Sequence, residues 1–389
     1  MKHNSQVDSS PVRIGQVTEH DAQRAVESFY TQVTQPKMEL VIFFCSSDYD
    51  LEKLASAMQQ RFAKVRVIGC TTSGEIGSAG YLRHGLSGAS FSSDSFIADS
   101  ILLEQLQLLN ENQCHQAVQT QLQKLESKMH AATTANNCFA FMLVDGLSMR
   151  EEKLAHMLQN ELGRIPLVGG SAGDEQHFEH TWVYAHGRFY NDAAVVLLVH
   201  SKLPFTPFKT QHFTKTDRRM VVTAADPDQR LVHEINGLPA ASEYARLLGL
   251  TAKQLDNELF AIHPIMIRIG GMDFIRSIQQ VESDGSLRFY CAIEEGLVLR
   301  LAHGQNLIEN LEQTLAQLQQ EVGEPILILG CDCILRRLEM ERNGIIAEIE
   351  MLYLKNHMVG FNSYGEQFRG IHVNQTLTGT MIGKGRKET

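Results

Sequence analysis

Gly169-Gly170-Ser171-Ala172-Gly173 has the spacing of a nucleophile elbow and follows an apolar run. That chemistry needs a strand–turn–helix, so that the serine hydroxyl is exposed and a helix N-terminus supports the oxyanion. Residues 175–191 read instead as a charged loop and hairpin. The turn also recurs without its serine. Thr71 in Cys70-Thr71-Thr72-Ser73-Gly74-Glu75 and Asn362 in Asn362-Ser363-Tyr364-Gly365-Glu366 stand at the place of Ser171. A repeated turn without a repeated nucleophile points to shared backbone geometry. A serine hydrolase using Ser171 is therefore the alternative, and a non-enzymatic protein the main reading. The glycines could cradle an anion on backbone N–H groups or let two sheets approach closely. Glu75 and Glu366 each follow a glycine, and their carboxylates are expected to accept backbone N–H groups or pair with an arginine. No Walker A or G-x-G-x-x-G motif occurs, which argues against nucleotide chemistry.

Asp174, Glu175, His177, Glu179 and His180 are metal-ligand types, but H-x-x-H lacks the i, i+4 register of a helical zinc pair, and the segment reads as a solvated loop. Cys331 and Cys333 have no second cysteine pair to complete a zinc site and read as buried thiols. Of the 16 histidines, His263, His303 and His372 sit in apolar company. Each could be the proximal ligand of a haem, which needs one imidazole in an apolar slot. A hydrogen-bonded core histidine is the ordinary explanation of such a residue. Pro264 stiffens the backbone beside His263, so His263 ranks first as axial ligand and His372 second. Without C-x-x-C-H, haem would be held non-covalently.

These residues need elements to position them. The chain has 389 residues, 43% hydrophobic and 21% charged, enough for two or three domains with sizeable cores. A net charge of −10 argues against duplex nucleic-acid binding. Seven dispersed cysteines, a polar N-terminus and no membrane-length apolar run lead to the expectation of a cytoplasmic protein without direct membrane insertion. Leu40–Phe44, Val65–Gly69, Phe139–Val144 and Ile165–Val168 read as strands, with helical stripes between the members of each pair. At a constant offset of 100, Glu52, Lys53, Leu54, Ala55, Gln59, Gly69 and Glu75 match Glu152, Lys153, Leu154, Ala155, Gln159, Gly169 and Glu175, an internal duplication. A fainter third copy spans about 326–366. Ser148 and Glu151 have capping-box spacing, as do Thr251 and Gln254. Asn236-Gly237 and Asp284-Gly285 are turn signals within an expected meander over 266–301. Leu307, Leu311, Leu315 and Leu318 mark a long amphipathic helix. The fold class expected is α/β: repeated strand–helix–strand units on mixed sheets with antiparallel hairpins. Residues 1–12 read as a disordered tail, and domains span 13–205 and 210–389, divided at the prolines of Leu203–Lys209.

Val67-Ile68-Gly69-Cys70-Thr71-Thr72-Ser73-Gly74-Glu75 resembles the signature of the FIST N domain. Gly360 to Glu366, followed by His372-Val373-Asn374-Gln375-Thr376-Leu377-Thr378-Gly379, resembles that of the FIST C domain. The resemblance implies a sensory input module that binds a small ligand. Residues 331–339 and 372–379 look closest to a branch of haem-binding nitric-oxide sensors that regulate a partner histidine kinase. The expectation is therefore a haem sensor with His263 or His372 on iron, nitric oxide weakening that bond, and a protein contact as output. The alternative is a haem-free sensor of a small molecule such as an amino acid, its carboxylate against a glycine turn or against Arg268 or Arg276. The expected pocket comprises Thr71, Thr72, Ser73, Gly74, Glu75, Gly170, Ser171, Tyr364, Gly365, Glu366, Asn374 and Arg268.

Overall fold

The structure is a computed structural model and describes residues 10–386 other than Gln176 and Gly270. Most of the expected tail, residues 1–9, lies outside the described residues, and Val12 already opens a strand. Three units repeat one element order. The first is β1 (Val12–Val17), α1 (Ala22–Val33), β2 (Met38–Ser46), α2 (Leu51–Arg61), β3 (Arg66–Thr72), the hairpin β4 (Glu75–Gly77) and β5 (Gly80–Leu82), then β6 (Leu86–Ser92). The second is β7 (Phe96–Glu104), α3 (Glu111–Met129), β8 (Cys138–Val144), α4 (Glu151–Leu162), β9 (Leu167–Ser171), the hairpin β10 (Val183–Ala185) and β11 (Arg188–Tyr190), then β12 (Ala193–Ser201).

The third unit opens with β13 (Phe205–Thr210) and is interrupted by an insertion. The insertion holds β14 (Phe213–Asp226), β15 (Leu231–Ile235), β16 (Leu238–Pro239), α5 (Ala240–Leu248), α6 (Asn257–Ile262), β17 (Ile265–Ile269), β18 (Met272–Arg276), β19 (Ile278–Val281), β20 (Leu287–Phe289) and β21 (Val298–Gly304). The unit resumes with α7 (Leu307–Val322), β22 (Pro325–Cys333), α8 (Ile334–Asn343), α9 (Ile346–Lys355), β23 (Met358–Ser363), the hairpin β24 (Glu366–Phe368) and β25 (Ile371–Val373), and β26 (Leu377–Gly383). Two helices replace the single crossover helix of the other units.

Each unit forms a six-stranded sheet around a parallel pair, but the hairpins are exchanged in a cycle. β4–β5 joins the third sheet on β23, β10–β11 joins the first on β3, and β24–β25 joins the second on β9. The apolar runs are buried on both faces. Leu40, Ile42 and Phe44, Phe139, Phe141 and Leu143, and Leu327 and Leu329 share one core among the three sheets. Val41 and Phe43 pack under α1 and α2, Ala140 and Met142 under α3 and α4, and Ile328 under α7 and α9.

The α/β class, the duplication and the third copy are as the sequence indicates, and Leu307, Leu311, Leu315 and Leu318 are all buried on α7. Leu203–Lys209 is not a bare linker. Most of it forms β13, where Pro207 opposite Thr380 is tolerated because the strand is at a sheet edge. The insertion is not a simple meander: β17 pairs with β21 and β20 with β15, closing an eight-stranded sheet about β14. Ser148 and Glu151 form no capping box. The Ser148 hydroxyl donates to the Asp145 carbonyl (2.8 Å), and α4 has no side-chain cap.

Candidate functional site

The three glycine turns meet and hydrogen-bond in a ring. Ser73 N–H donates to the Asn362 carbonyl (3.0 Å) and Asn362 N–H to that of Gly74 (2.7 Å). Ser171 N–H donates to the Gly365 carbonyl (2.8 Å), and Gly173 N–H to that of Thr71 (3.0 Å). Glycine serves close approach here. A Cβ on Gly74 would fall 2.0 Å from Arg337 Nη1, one on Gly173 2.3 Å from Ser73 Oγ, and one on Gly170 2.8 Å from Cys331 Sγ. Arg337 is committed to Asn362 Oδ1 (2.9 Å). These backbone N–H groups are spent on carbonyls of the neighbouring turns, so the turns form a joint and not an anion cradle.

Glu75 and Glu366 are equivalent and fully buried. The Thr72 hydroxyl donates to Glu75 Oε1 (2.5 Å) and Gly85 N–H to Oε2 (3.2 Å). The Ser363 hydroxyl donates to Glu366 Oε1 (2.6 Å), and Thr376 N–H (3.2 Å) and hydroxyl (2.6 Å) to Oε2. Burial pushes each carboxyl up to about 8, against these hydrogen bonds. Glu175 keeps the offset of 100 but not the place: it lies at φ 61° on a loop, and Val183 takes the position of Glu75 and Glu366 in the strand register.

Ser171 is fully buried, no helix follows it, and its hydroxyl accepts Gln367 Nε2 (3.0 Å). An amide is no general base. Asp174 does not lie in a solvated loop. It is buried and accepts the N–H groups of Phe178 (3.0 Å), Glu179 (2.8 Å) and His180 (2.8 Å), and the Tyr364 hydroxyl. Among the described residues no group of three or more His, Cys, Asp or Glu side chains is placed to hold a metal. Arg268 is exposed on β17 and donates to the Gly271 carbonyl (3.1 Å), outside the joint. Arg276 is buried against the His372 carbonyl (3.2 Å). Asn374 is buried, and neither end of its amide has a hydrogen-bond partner among the described residues.

The histidines do not fit a haem. His372 is buried, and Gln367 Nε2 lies 3.1 Å from its Nδ1, which leaves the ring proton on Nε2. A Cβ on Gly365 would fall 2.7 Å from that Nε2, so no iron has room there. Desolvation lowers His372 to about 4. His263 is the half-buried C-cap of α6, and its carbonyl accepts the Tyr244 hydroxyl (2.6 Å). Neither ring borders a cavity described below.

A cavity of about 180 Å³ opens where the joint meets the insertion, walled by Leu147, Phe178, Phe289, Tyr290 and Tyr364 and by Glu151, Arg230 and Arg288. Phe178 stacks on Tyr364 with centroids 4.6 Å apart. Arg230, buried, reaches from the insertion to Glu151 (2.6 Å) and Glu152 (2.7 Å) of α4. Burial holds Glu151 up at about 7 in spite of the arginine. The space equals roughly six waters, below the ~300–1,000 Å³ of pockets for drug-sized ligands. Of the twelve expected pocket residues only Tyr364 lines it. Arg230 carries no local sequence signal, since its partner Glu151 is 79 residues away.

The FIST N domain matches residues 39–238 and the FIST C domain residues 240–369, so the chain belongs to the FIST family of sensory, ligand-binding proteins. An uncharacterized protein of Methanocaldococcus jannaschii is 24% identical over 384 residues, covering 88% of this chain and 73% of the relative. A cyanuric acid hydrolase from A. caulinodans aligns with a TM-score of 0.31 at 6% identity, over 51% of this chain and 71% of that one, too distant to carry an argument. Among the described residues no helix is long and apolar enough to cross a membrane.

Proposed function

We propose that this FIST protein senses a small polar molecule of amino-acid size in the cavity beside Tyr364, and that it is not an enzyme. The observation that carries the reading is the buried Arg230 at the cavity wall, tied to Glu151 and Glu152 across the seam between the insertion and the second unit. A ligand carboxylate competes with Glu151 for the guanidinium, and a ligand ammonium takes the released carboxylate. Phe178, Tyr290 and Tyr364 supply apolar walls. Because the same charges join two parts of the fold, occupancy shifts that seam by its differential affinity for two arrangements. The output is a protein contact, and a histidine kinase is the partner class that the resemblance implies. Haem and nitric oxide receive no support from the packing of His263 and His372.

The test is a thermal-shift and calorimetric screen of amino acids and their oxo-acid analogues on the full chain, with an absorption spectrum of the protein as isolated. Saturable stabilisation by one compound class, lost in Arg230→Met, is expected. Absence of any such binder, together with a stoichiometric Soret band, would overturn the proposal.

A further inference from the structure

The first and second units carry the same surface beside their crossover helix, one bare and one covered. Register equates the hairpin β10–β11, beside α2, with β24–β25, beside α4. Val183 and Glu366 face Cys70 and Gly170, and Tyr184 and Gln367 face Gly69 and Gly169. The turn glycines also agree: a Cβ on Gly187 would fall 2.8 Å from Gln59, and one on Gly370 2.8 Å from Gln159, the residue at offset 100.

On the second unit the insertion covers this surface. Glu152 accepts the Ala292 N–H (3.0 Å) and the Arg230 guanidinium (2.7 Å), while Val373 joins the core of the inserted sheet and Ile371 packs against it. On the first unit the same surface is an open groove of about 500 Å³ lined by Leu51, Glu52, Ala55, Trp182, Arg188 and Phe189. Glu52, at the position of Glu152, is exposed and has no ion pair among the described residues. Trp182, the one tryptophan of the chain, and Phe189 line the groove and are half-buried. An aromatic lining beside an unpaired charge has the makings of an interface anchor.

We propose that this groove docks an extended segment of a partner protein, which presents an arginine or lysine and a backbone N–H to Glu52 and an apolar side chain to Trp182 and Phe189. The occupant is inferred from the covered copy, where a polypeptide layer makes those contacts to Glu152. Arg188, exposed where the second unit has Ile371, adds a positive charge to the groove lining and favours an acidic group of the segment beside it. The inference does not depend on which ligand the cavity takes.

The experiment places a photo-crosslinking phenylalanine at Ser56, an exposed residue of the groove lining with no part in the proposed contacts, in the full chain in its native cell, identifies the crosslinked peptide by mass spectrometry, and synthesises that peptide as the probe. It is expected to contain a basic and an apolar residue, to bind the purified chain, to bind Glu52→Lys at least about tenfold more weakly, and to regain affinity for Glu52→Lys when its own basic residue is changed to glutamate. Glu52 is exposed, so the variant keeps the fold, which circular dichroism checks. Absence of a crosslink, a crosslink to a second copy of this chain, a peptide without a basic residue, or binding indifferent to Glu52→Lys would each overturn the proposal.

Discussion

Phe189 and His372 stand at one position of a repeated hairpin. Phe189 pairs with Tyr184 opposite Gly69, and His372 pairs with Gln367 opposite Gly169. Tyr81 fills the third copy, paired with Ile76 opposite Gly360. Two of three units thus place a phenyl or phenol ring there, so the position does not call for an imidazole, and in the third unit the imidazole is held by Gln367 (3.1 Å). His372→Phe is expected to fold and to lose about 1–2 kcal/mol in urea denaturation, the scale of one buried hydrogen bond. Added haem should give the same spectrum in wild type, His372→Phe and His263→Ala. Loss of a Soret feature in either variant alone would restore that histidine as a ligand.

The repeat was legible because its residues are local. The offset of 100 marks two strand–helix–strand units, Asn236 and Gly237 adopt positive φ (55° and 74°), and Gly249 caps α5 at φ 77°. The long strand β14 was not legible, since Thr-Lys-Thr-Asp-Arg-Arg has neither an apolar run nor clean alternation. The hairpin exchange was also hidden: a hairpin has the same sequence whether it pairs with its own unit or the next. The cavity was hidden for a related reason, since Arg230 and Glu151 meet only through tertiary contact. Glycine and glutamate repeats marked the joint because close approach and burial constrain residue type there. The ligand wall, one step further out, carries no repeat.

Stability should fall as pH rises. Glu75 and Glu366 titrate near the usual 4.5 in the unfolded chain, and burial raises each to about 8 in the fold. Between these values the native state binds more protons than the unfolded state, so each carboxyl subtracts up to about 1.4 kcal/mol per pH unit. Their stabilisation is complete below about pH 4.5 and lost through pH 8. Urea midpoints measured from pH 5 to pH 9 should decline, and a double variant Glu75→Gln/Glu366→Gln should flatten the slope. An unchanged slope would place the titration elsewhere.

Gly360→Ala should be among the most damaging single-methyl additions in the chain. Its Cβ would fall 1.9 Å from the Gly330 carbonyl oxygen, as those of Gly69 and Gly169 would fall 2.5 Å from the Phe43 and 2.2 Å from the Met142 carbonyl oxygens. Three equivalent strand pairs approach at the same register, and backbone cannot yield as a side-chain tip can. A loss of about 3 kcal/mol or more is expected from this overpacking. Gly163→Ala, with nothing within 4 Å of the added carbon, should cost about 1–2 kcal/mol from its φ of 59° alone. Equal losses in chemical denaturation would refute the close-approach argument.

Fluorophosphonate labelling separates the sensor from the hydrolase. The Ser171 hydroxyl is buried against Gln367 Nε2, and its N–H is used by the Gly365 carbonyl. Among the described residues no histidine or carboxylate is hydrogen-bonded to the serine to take its proton, and the neighbouring N–H groups are spent on the joint instead of an oxyanion. No adduct at Ser171 is expected by mass spectrometry. An adduct that disappears in Ser171→Ala would establish a nucleophile and remove the non-enzymatic reading.

Arg230→Met should be costly in a way that depends on pH. The wild-type guanidinium faces two carboxylates of α4, at 2.6 Å from Glu151 and 2.7 Å from Glu152. Removing it leaves the buried Glu151 and the half-buried Glu152 without their cation, a loss of about 3–5 kcal/mol for a broken buried pair. Protonation relieves that penalty, so the deficit against wild type should be smallest near pH 4.5 and grow toward pH 8, as both carboxylates are forced to ionise. The triple variant Arg230→Met/Glu151→Gln/Glu152→Gln removes the charges together and should recover part of the loss with a flat pH response. A deficit in Arg230→Met that stays constant from pH 5 to pH 8 would mean that the arginine stem packs the seam while its charge contributes little. It would also withdraw the charge exchange on which ligand sensing at Tyr364 is built.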